Sequence, residues 1–164
     1  MEDKIVTIDK KKTIKIEKEQ KQRVIVNTNE NWTNCIENQY EIISEQKEPE
    51  YSNILIEVKK KISGYKSQDK TKGKYDVQRF VDLNFTMNLL AKSEYKCYYC
   101  KEKVSIVYAY VRDPKQWSLE RLDNAYGHNK NNVVLACLYC NLHRRTMYHE
   151  RYAFTKQLDI IKIN

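Results

Sequence analysis

The first third of the chain alternates Lys and Glu with Ile and Val, as in Lys4-Ile5-Val6-Thr7-Ile8, Thr13-Ile14-Lys15-Ile16 and Arg23-Val24-Ile25-Val26. Runs of period two predict short, half-buried strands. The same charge density with few large apolar residues equally fits a loosely ordered arm, so residues 1–50 are read as an extension that is β-rich or partly disordered. Beyond Glu48-Pro49 the period changes. Ile54, Leu55, Val58 and Ile62 form a helical stripe, and Gly64 is expected to end that helix. The segment from Tyr65 to Tyr75 is polar and basic. It reads either as a solvated linker or as a strand-binding segment whose lysines neutralise phosphates while its tyrosines stack on bases.

Asp82 is the expected N-cap of a helix over Leu83 to Ala91. Further on, the apolar runs predict a strand over Val104 to Val111, a turn at Arg112-Asp113-Pro114 and a second strand over Trp117 to Leu122. A loop from Asn124 to Asn132, turned at Gly127, leads to a returning strand over Val133 to Ala136 and a helix over Leu138 to Glu150. The predicted class is α+β. The chain divides into the extension, a helical leader and basic linker over 51–93, a cysteine-bounded unit over 94–151 and a tail over 152–164. The tail, with Phe154, Leu158, Ile160, Ile161 and Ile163, is expected to pack on the core.

Thirty basic against 22 acidic side chains give a formal charge of +8, which favours a polyanionic partner without naming it. No apolar run is long enough for a membrane span, and the start of the chain lacks a signal-peptide core. A soluble protein inside the cell, not a secreted one, is expected.

That expectation changes how the cysteines are read. Cys97 and Cys100, then Cys137 and Cys140, form two matched pairs with two residues inside each. In a reducing compartment this spacing suits four thiolates on one structural Zn²⁺ better than disulfides. Thiol–disulfide chemistry would need only one pair and a βαβ setting that is missing around it. Cys35 stands alone and is read as a structural or incidental thiol. Tyr98, Tyr99 and Tyr139 inside the pairs are expected to shield the sulfurs.

Between and behind the pairs lie Ser118-Leu119-Glu120-Arg121-Leu122-Asp123-Asn124, Gly127-His128, Asn132-Val133-Val134, and Cys137-x-x-Cys140-Asn141 with Arg144-Arg145. This ordered set resembles the zinc-containing HNH endonucleases found in phages and large DNA viruses, with the clearest likeness from about Tyr95 to Arg145. The resemblance implies a ββα-metal, treble-clef-like core. It also implies a metal-dependent nuclease of the nicking or homing type that hydrolyses DNA phosphodiester bonds. Its alternative is a zinc-dependent DNA-binding module that keeps the fold without the chemistry.

The resemblance further implies that Glu120 and Asn141 ligate a catalytic Mg²⁺ or Mn²⁺, that Asn132 fixes the loop, and that Arg121 clamps the scissile phosphate. Arg144 and Arg145 join Arg121 as expected DNA contacts. Many members of the family carry Asp-His where this chain has Glu120-Arg121, so the usual base is missing from its usual place. His128 is the leading replacement, since a neutral imidazole accepts a proton near neutral pH. Asp123 is an additional ligand, an orienting carboxylate or a turn cap. The i and i+6 spacing of His143 and His149 does not put them on one helix face, so they are not expected to share a metal.

Overall fold

The computed structural model describes residues 20–23 and 35–158. Among these residues the fold is mixed α+β, with five helices and a two-stranded antiparallel sheet. The expected strands at Lys4 to Ile8 and Thr13 to Ile16 lie outside the described residues. Of the third, Arg23 is described, and its amide donates to Ala109 O at 2.8 Å.

Helix α1, Ile36–Glu45, occupies a stretch where strand or disorder was expected. Its buried Gln39 explains a second departure, the missing strand over Val104 to Val111. Gln39 Oε1 accepts from the amides of Ile106 and Val107, both at 2.9 Å, and its Nε2 donates to Val107 O at 2.9 Å. A side chain from α1 therefore takes the place of a neighbouring strand. Backbone polar groups buried without partners are costly, and here a glutamine satisfies three of them. The segment remains irregular and contributes Val104, Ile106 and Val107 to the core.

Helix α2, Glu50–Thr71, runs through Gly64 and through most of the expected linker. Ile54, Val58, Tyr65 and Asp69 recur at helical spacing on its inner side, and Gly64 faces open space. The stop is Gly73 instead, whose φ of +64° suits glycine, with the Lys74 amide closing back on Asp69 O at 2.8 Å.

Helix α3, Leu83–Lys92, begins as expected at Asp82, whose side chain accepts from the Phe85 amide at 2.8 Å. Strands β1, Trp117–Arg121, and β2, Val133–Cys137, pair antiparallel with Leu119 opposite Leu135 and Glu120 opposite Val134. The open edge of β1 is covered from two directions. Trp117 N donates to Ser105 O at 2.9 Å, and Leu119 N donates to the Tyr65 hydroxyl at 3.0 Å.

The final expected helix is two helices. Helix α4, Leu138–Arg144, stops at Arg145, whose φ is 52°, and α5, His149–Lys156, starts after a turn. The turn is gathered by Arg144, whose guanidinium donates to Met147 O at 2.8 Å. Tyr152 of α5 packs edge-on against the buried Tyr99 at 4.9 Å between centroids, and Gln157 Nε2 donates to Tyr99 O at 3.0 Å. Of the tail's apolar residues, Phe154 and Leu158 are exposed. Ile160, Ile161 and Ile163 lie outside the described residues. No helix among the described residues is long and apolar enough to cross a membrane.

Candidate functional site

Each cysteine pair sits on a tight turn. The first is closed by Lys101 N donating to Cys97 O at 3.0 Å and Cys97 N to Glu102 O at 2.8 Å, with Lys101 at φ 62°. The second is the junction of β2 and α4. Cys137 ends the strand and caps the helix, its Sγ accepting from Cys140 N at 3.4 Å. All four Sγ atoms lie within 4.8 Å of one another, with Cys100 and Cys137 sulfurs 4.0 Å apart. A tetrahedral Zn²⁺ with bonds of about 2.3 Å spaces its sulfurs by about 3.8 Å, so the cluster fits such an ion.

Crowding of the sulfurs splits their acidities. Hydrogen bonds from Cys137 and Cys140 hold the Cys97 thiol far below the ordinary thiol range, while Cys140 is pushed far above it by Cys137 and Cys97. Tyr99 is fully buried behind it and Tyr98 meets Tyr99 edge-on at 5.2 Å. Tyr139 is exposed and stacks on His143 at 4.0 Å. Cys35 is apart from the cluster, its Sγ 3.6 Å from a Glu37 carboxylate oxygen.

Beside this centre, β1, the start of α4 and the middle of α2 enclose a cavity of about 510 Å³. Glu120, Arg121, His128, Asn141 and Arg145 all line it, so five of the residues singled out from sequence meet at one place. Ser118 and Glu120 share a face of β1 because strand side chains alternate. Asn141 is brought to that face by the cysteine turn immediately before it.

Polarity along one hydrogen-bond chain orients Asn141. Ser118 Oγ donates its single proton to Ala136 O at 2.9 Å, so it must accept from Asn141 Nδ2, which lies 3.1 Å away. The amide oxygen of Asn141 is left without a partner among the described residues. Glu120 is buried and paired through Oε1 with the guanidinium of Arg144, while its Oε2 makes no hydrogen bond to the described residues. Burial raises the Glu120 pKa, and the charge of Arg144 opposes that rise.

Arg144 itself does not stand where a DNA contact was expected. It is 3% exposed, and its remaining nitrogens donate to Arg121 O at 2.6 Å and Met147 O at 2.8 Å. Each of its three side-chain nitrogens is engaged within the protein. Arg145, its neighbour, is exposed on the cavity rim, and Arg121 is half-buried with one nitrogen 3.3 Å from Tyr126 O.

The loop carrying His128 is pinned on both sides. Asn132 Oδ1 accepts from Asp123 N at 2.9 Å, and its Nδ2 donates to Asp123 O at 2.9 Å and Gly127 O at 3.1 Å. Asp123 caps the turn through Ala125 N at 2.8 Å. His128 is only 3% exposed, with its Nδ1 2.8 Å from Asp69 Oδ1 and its ring stacked on Tyr65 at 4.4 Å. Burial lowers its pKa, partly offset by Asp69, a shift toward the neutral ring.

Three residues of α2 escaped the sequence reading: Lys61 and Tyr65, which line this cavity, and Asp69, which is buried behind His128. Lys61 bonds Gln116 Oε1 at 3.0 Å, the Tyr108 hydroxyl at 3.2 Å and Trp117 O, and burial with the nearby charge of Arg23 brings its pKa down to about 7. Tyr65 and Asp69 were absorbed into the expected linker. The signal that could have found them is the helical stripe, which continues at intervals of three and four residues from Ile54 through Val58, Lys61, Tyr65 and Asp69. Compared with protein-family models, curated proteins and solved structures, the chain gives no match.

Proposed function

We propose that this protein is a metal-dependent endonuclease of the HNH, ββα-metal kind, which hydrolyses DNA phosphodiester bonds by nicking or homing-type cleavage. The observation that carries the reading is the pair of unpartnered oxygens, Glu120 Oε2 and Asn141 Oδ1, on residues lining one cavity together with His128. Hard oxygen donors of this sort suit Mg²⁺ or Mn²⁺, and such an ion would supply positive charge for the phosphorane-like transition state and leaving oxygen. The four cysteines, holding Zn²⁺, set the start of α4 and with it the direction of Asn141.

In this reading the chain's own groups divide the remaining work. His128 Nε2 takes the proton of the attacking water, and the downward shift of its pKa by burial, which favours the neutral ring, suits that task. Arg121 and Arg145 bind the phosphate oxygens, where a guanidinium makes paired, charge-assisted bonds. Asn132 keeps the His128 loop in register. The formal charge of +8 agrees with a polyanionic partner such as a nucleic-acid strand.

One contact favours a second reading, a zinc-dependent DNA-binding module without chemistry. Arg144 already neutralises Glu120, placing positive charge beside the seat intended for a cation. Incubation with supercoiled plasmid and Mg²⁺ or Mn²⁺ separates the two. Metal-dependent nicking that is lost in Asn141→Ala supports the nuclease, whereas tight binding without nicking, unaffected by that substitution, supports the module.

A further inference from the structure

We propose that Asp69 is the positioning residue of this site: its carboxylate fixes His128 as the Nδ1–H tautomer and turns Nε2 toward the cavity. The inference rests on the nuclease reading, and it deepens that reading by naming what makes His128 a base. Asp69 belongs to α2, far from the cysteine-bounded motifs in sequence.

The carboxylate grips one residue twice. Asp69 Oδ2 accepts from the His128 backbone amide at 2.6 Å, and Oδ1 lies 2.8 Å from Nδ1. An ionised carboxylate only accepts, so Nδ1 must carry the proton and Nε2 must be bare in the neutral ring. Nε2 makes no hydrogen bond among the described residues, and His128 lines the cavity. Holding main chain and ring with the same group leaves the imidazole little freedom about its own torsions.

Tyr65 supplies the second constraint. It lies one helical turn before Asp69, stacks on the ring, and has its hydroxyl tied to Leu119 N at 3.0 Å. Gly127 supplies the third. A Cβ there would sit 2.7 Å from Asp69 Oδ2 and closer still to Lys74 O, so only glycine lets the loop come this close to α2. Asp69 itself has no exposed surface, and its backbone oxygen closes the helix end through Lys74 N. The charged groups that face the ring are Asp69, Arg121 and Lys72, and of these Asp69 alone bonds it.

The test uses the full chain, zinc-loaded and free of Mg²⁺, with ¹⁵N-labelled histidine. The chain has three histidines, and His128→Gln assigns the signal of interest. Long-range ¹H–¹⁵N spectra are expected to give Nδ1–H for His128 in the wild type. In Asp69→Asn the introduced amide can accept from the His128 amide and donate to Nδ1, which switches the ring to Nε2–H. Nicking at saturating DNA is then expected to fall by about 10²- to 10⁴-fold with DNA affinity unchanged.

An Nε2–H signal in the wild type overturns the proposal, and this measurement decides it even where Asp69→Asn does not fold. A folded Asp69→Asn protein with the switched tautomer and wild-type nicking overturns it as well. Failure of the nuclease reading looks different: the wild type then shows Nδ1–H yet nicks no plasmid, and the catalytic use of the pair falls with that reading.

Discussion

Asn141 donates through Nδ2 to the hydroxyl of Ser118 at 3.1 Å, and Ser118 passes its own proton to Ala136 O at 2.9 Å. Because each donor in this chain has one direction, the serine decides which end of the amide is free for the cavity. Turned the other way, Asn141 would present N–H groups, which repel a cation.

Replacing Ser118 with Ala therefore removes the anchor while keeping Asn141. Partners that orient a metal ligand are worth about 10- to 100-fold in affinity. If Glu120 and Asn141 seat a cation as proposed, titration with Mn²⁺, followed by paramagnetic broadening or calorimetry, is expected to show a loss of about that size. Zinc content should stay at one per chain. Wild-type Mn²⁺ affinity in the alanine variant would falsify the orienting role.

The cysteine centre makes a prediction about folding. Cys137 ends β2 and starts α4, so one sulfur position controls both elements. Structural zinc sites bind with apparent free energies of about 10–16 kcal/mol, comparable with or above the roughly 5–15 kcal/mol stability of a whole domain. A strong chelator should consequently abolish the cooperative thermal transition of the unit built on β1, β2 and α4. A melting curve that ignores the chelator, or native protein without stoichiometric zinc, counts directly against the metal centre.

How far the sequence could be read depended on how local each element's partners are. The two cysteine pairs, β1, β2 and the Asp82 cap were legible because their determinants lie within a few residues of one another. Glu120, His128 and Asn141 were singled out through the resemblance, and the fold brings all three to one cavity. The region 104–111 was not legible as irregular, because its stand-in partner is Gln39, a side chain on a helix that the alternating pattern also concealed. Asp69 was hidden for a similar reason. Its worth is set by His128, 59 residues away, and a glycine at 64 looked like a helix end although no left-handed turn is needed there.

Two glycines make that last point measurable. Gly64 lies inside α2 with nothing within 4 Å of where a methyl would stand, so Gly64→Ala removes backbone freedom from the unfolded chain at no steric cost and should stabilise by about 0.4–1 kcal/mol. Gly127→Ala has the opposite sign. Its methyl would collide with Lys74 O and meet Asp69 Oδ2 at 2.7 Å, and the resulting displacement should cost about 1–3 kcal/mol. Chemical denaturation of the two zinc-loaded variants side by side checks both signs, and equal midpoints would contradict the close approach of α2 to the His128 loop.

Arg144 and Arg145 are neighbours with different expected consequences. Arg144 is buried on Glu120 and on two backbone oxygens, so Arg144→Ala leaves a carboxylate buried without its partner. Breaking such a pair from one side costs about 3–5 kcal/mol. Arg145 is exposed on the cavity rim and makes no such side-chain bond among the described residues. Arg145→Ala should leave stability unchanged, weaken DNA binding and lower the slope of log affinity against log salt by about one. Denaturant titration and salt-dependent DNA binding on the same two proteins decide the matter. A reduced salt slope in a fully stable Arg144→Ala variant would show that Arg144, rather than Arg145, meets the phosphates, and that Glu120 is not held by this ion pair in solution.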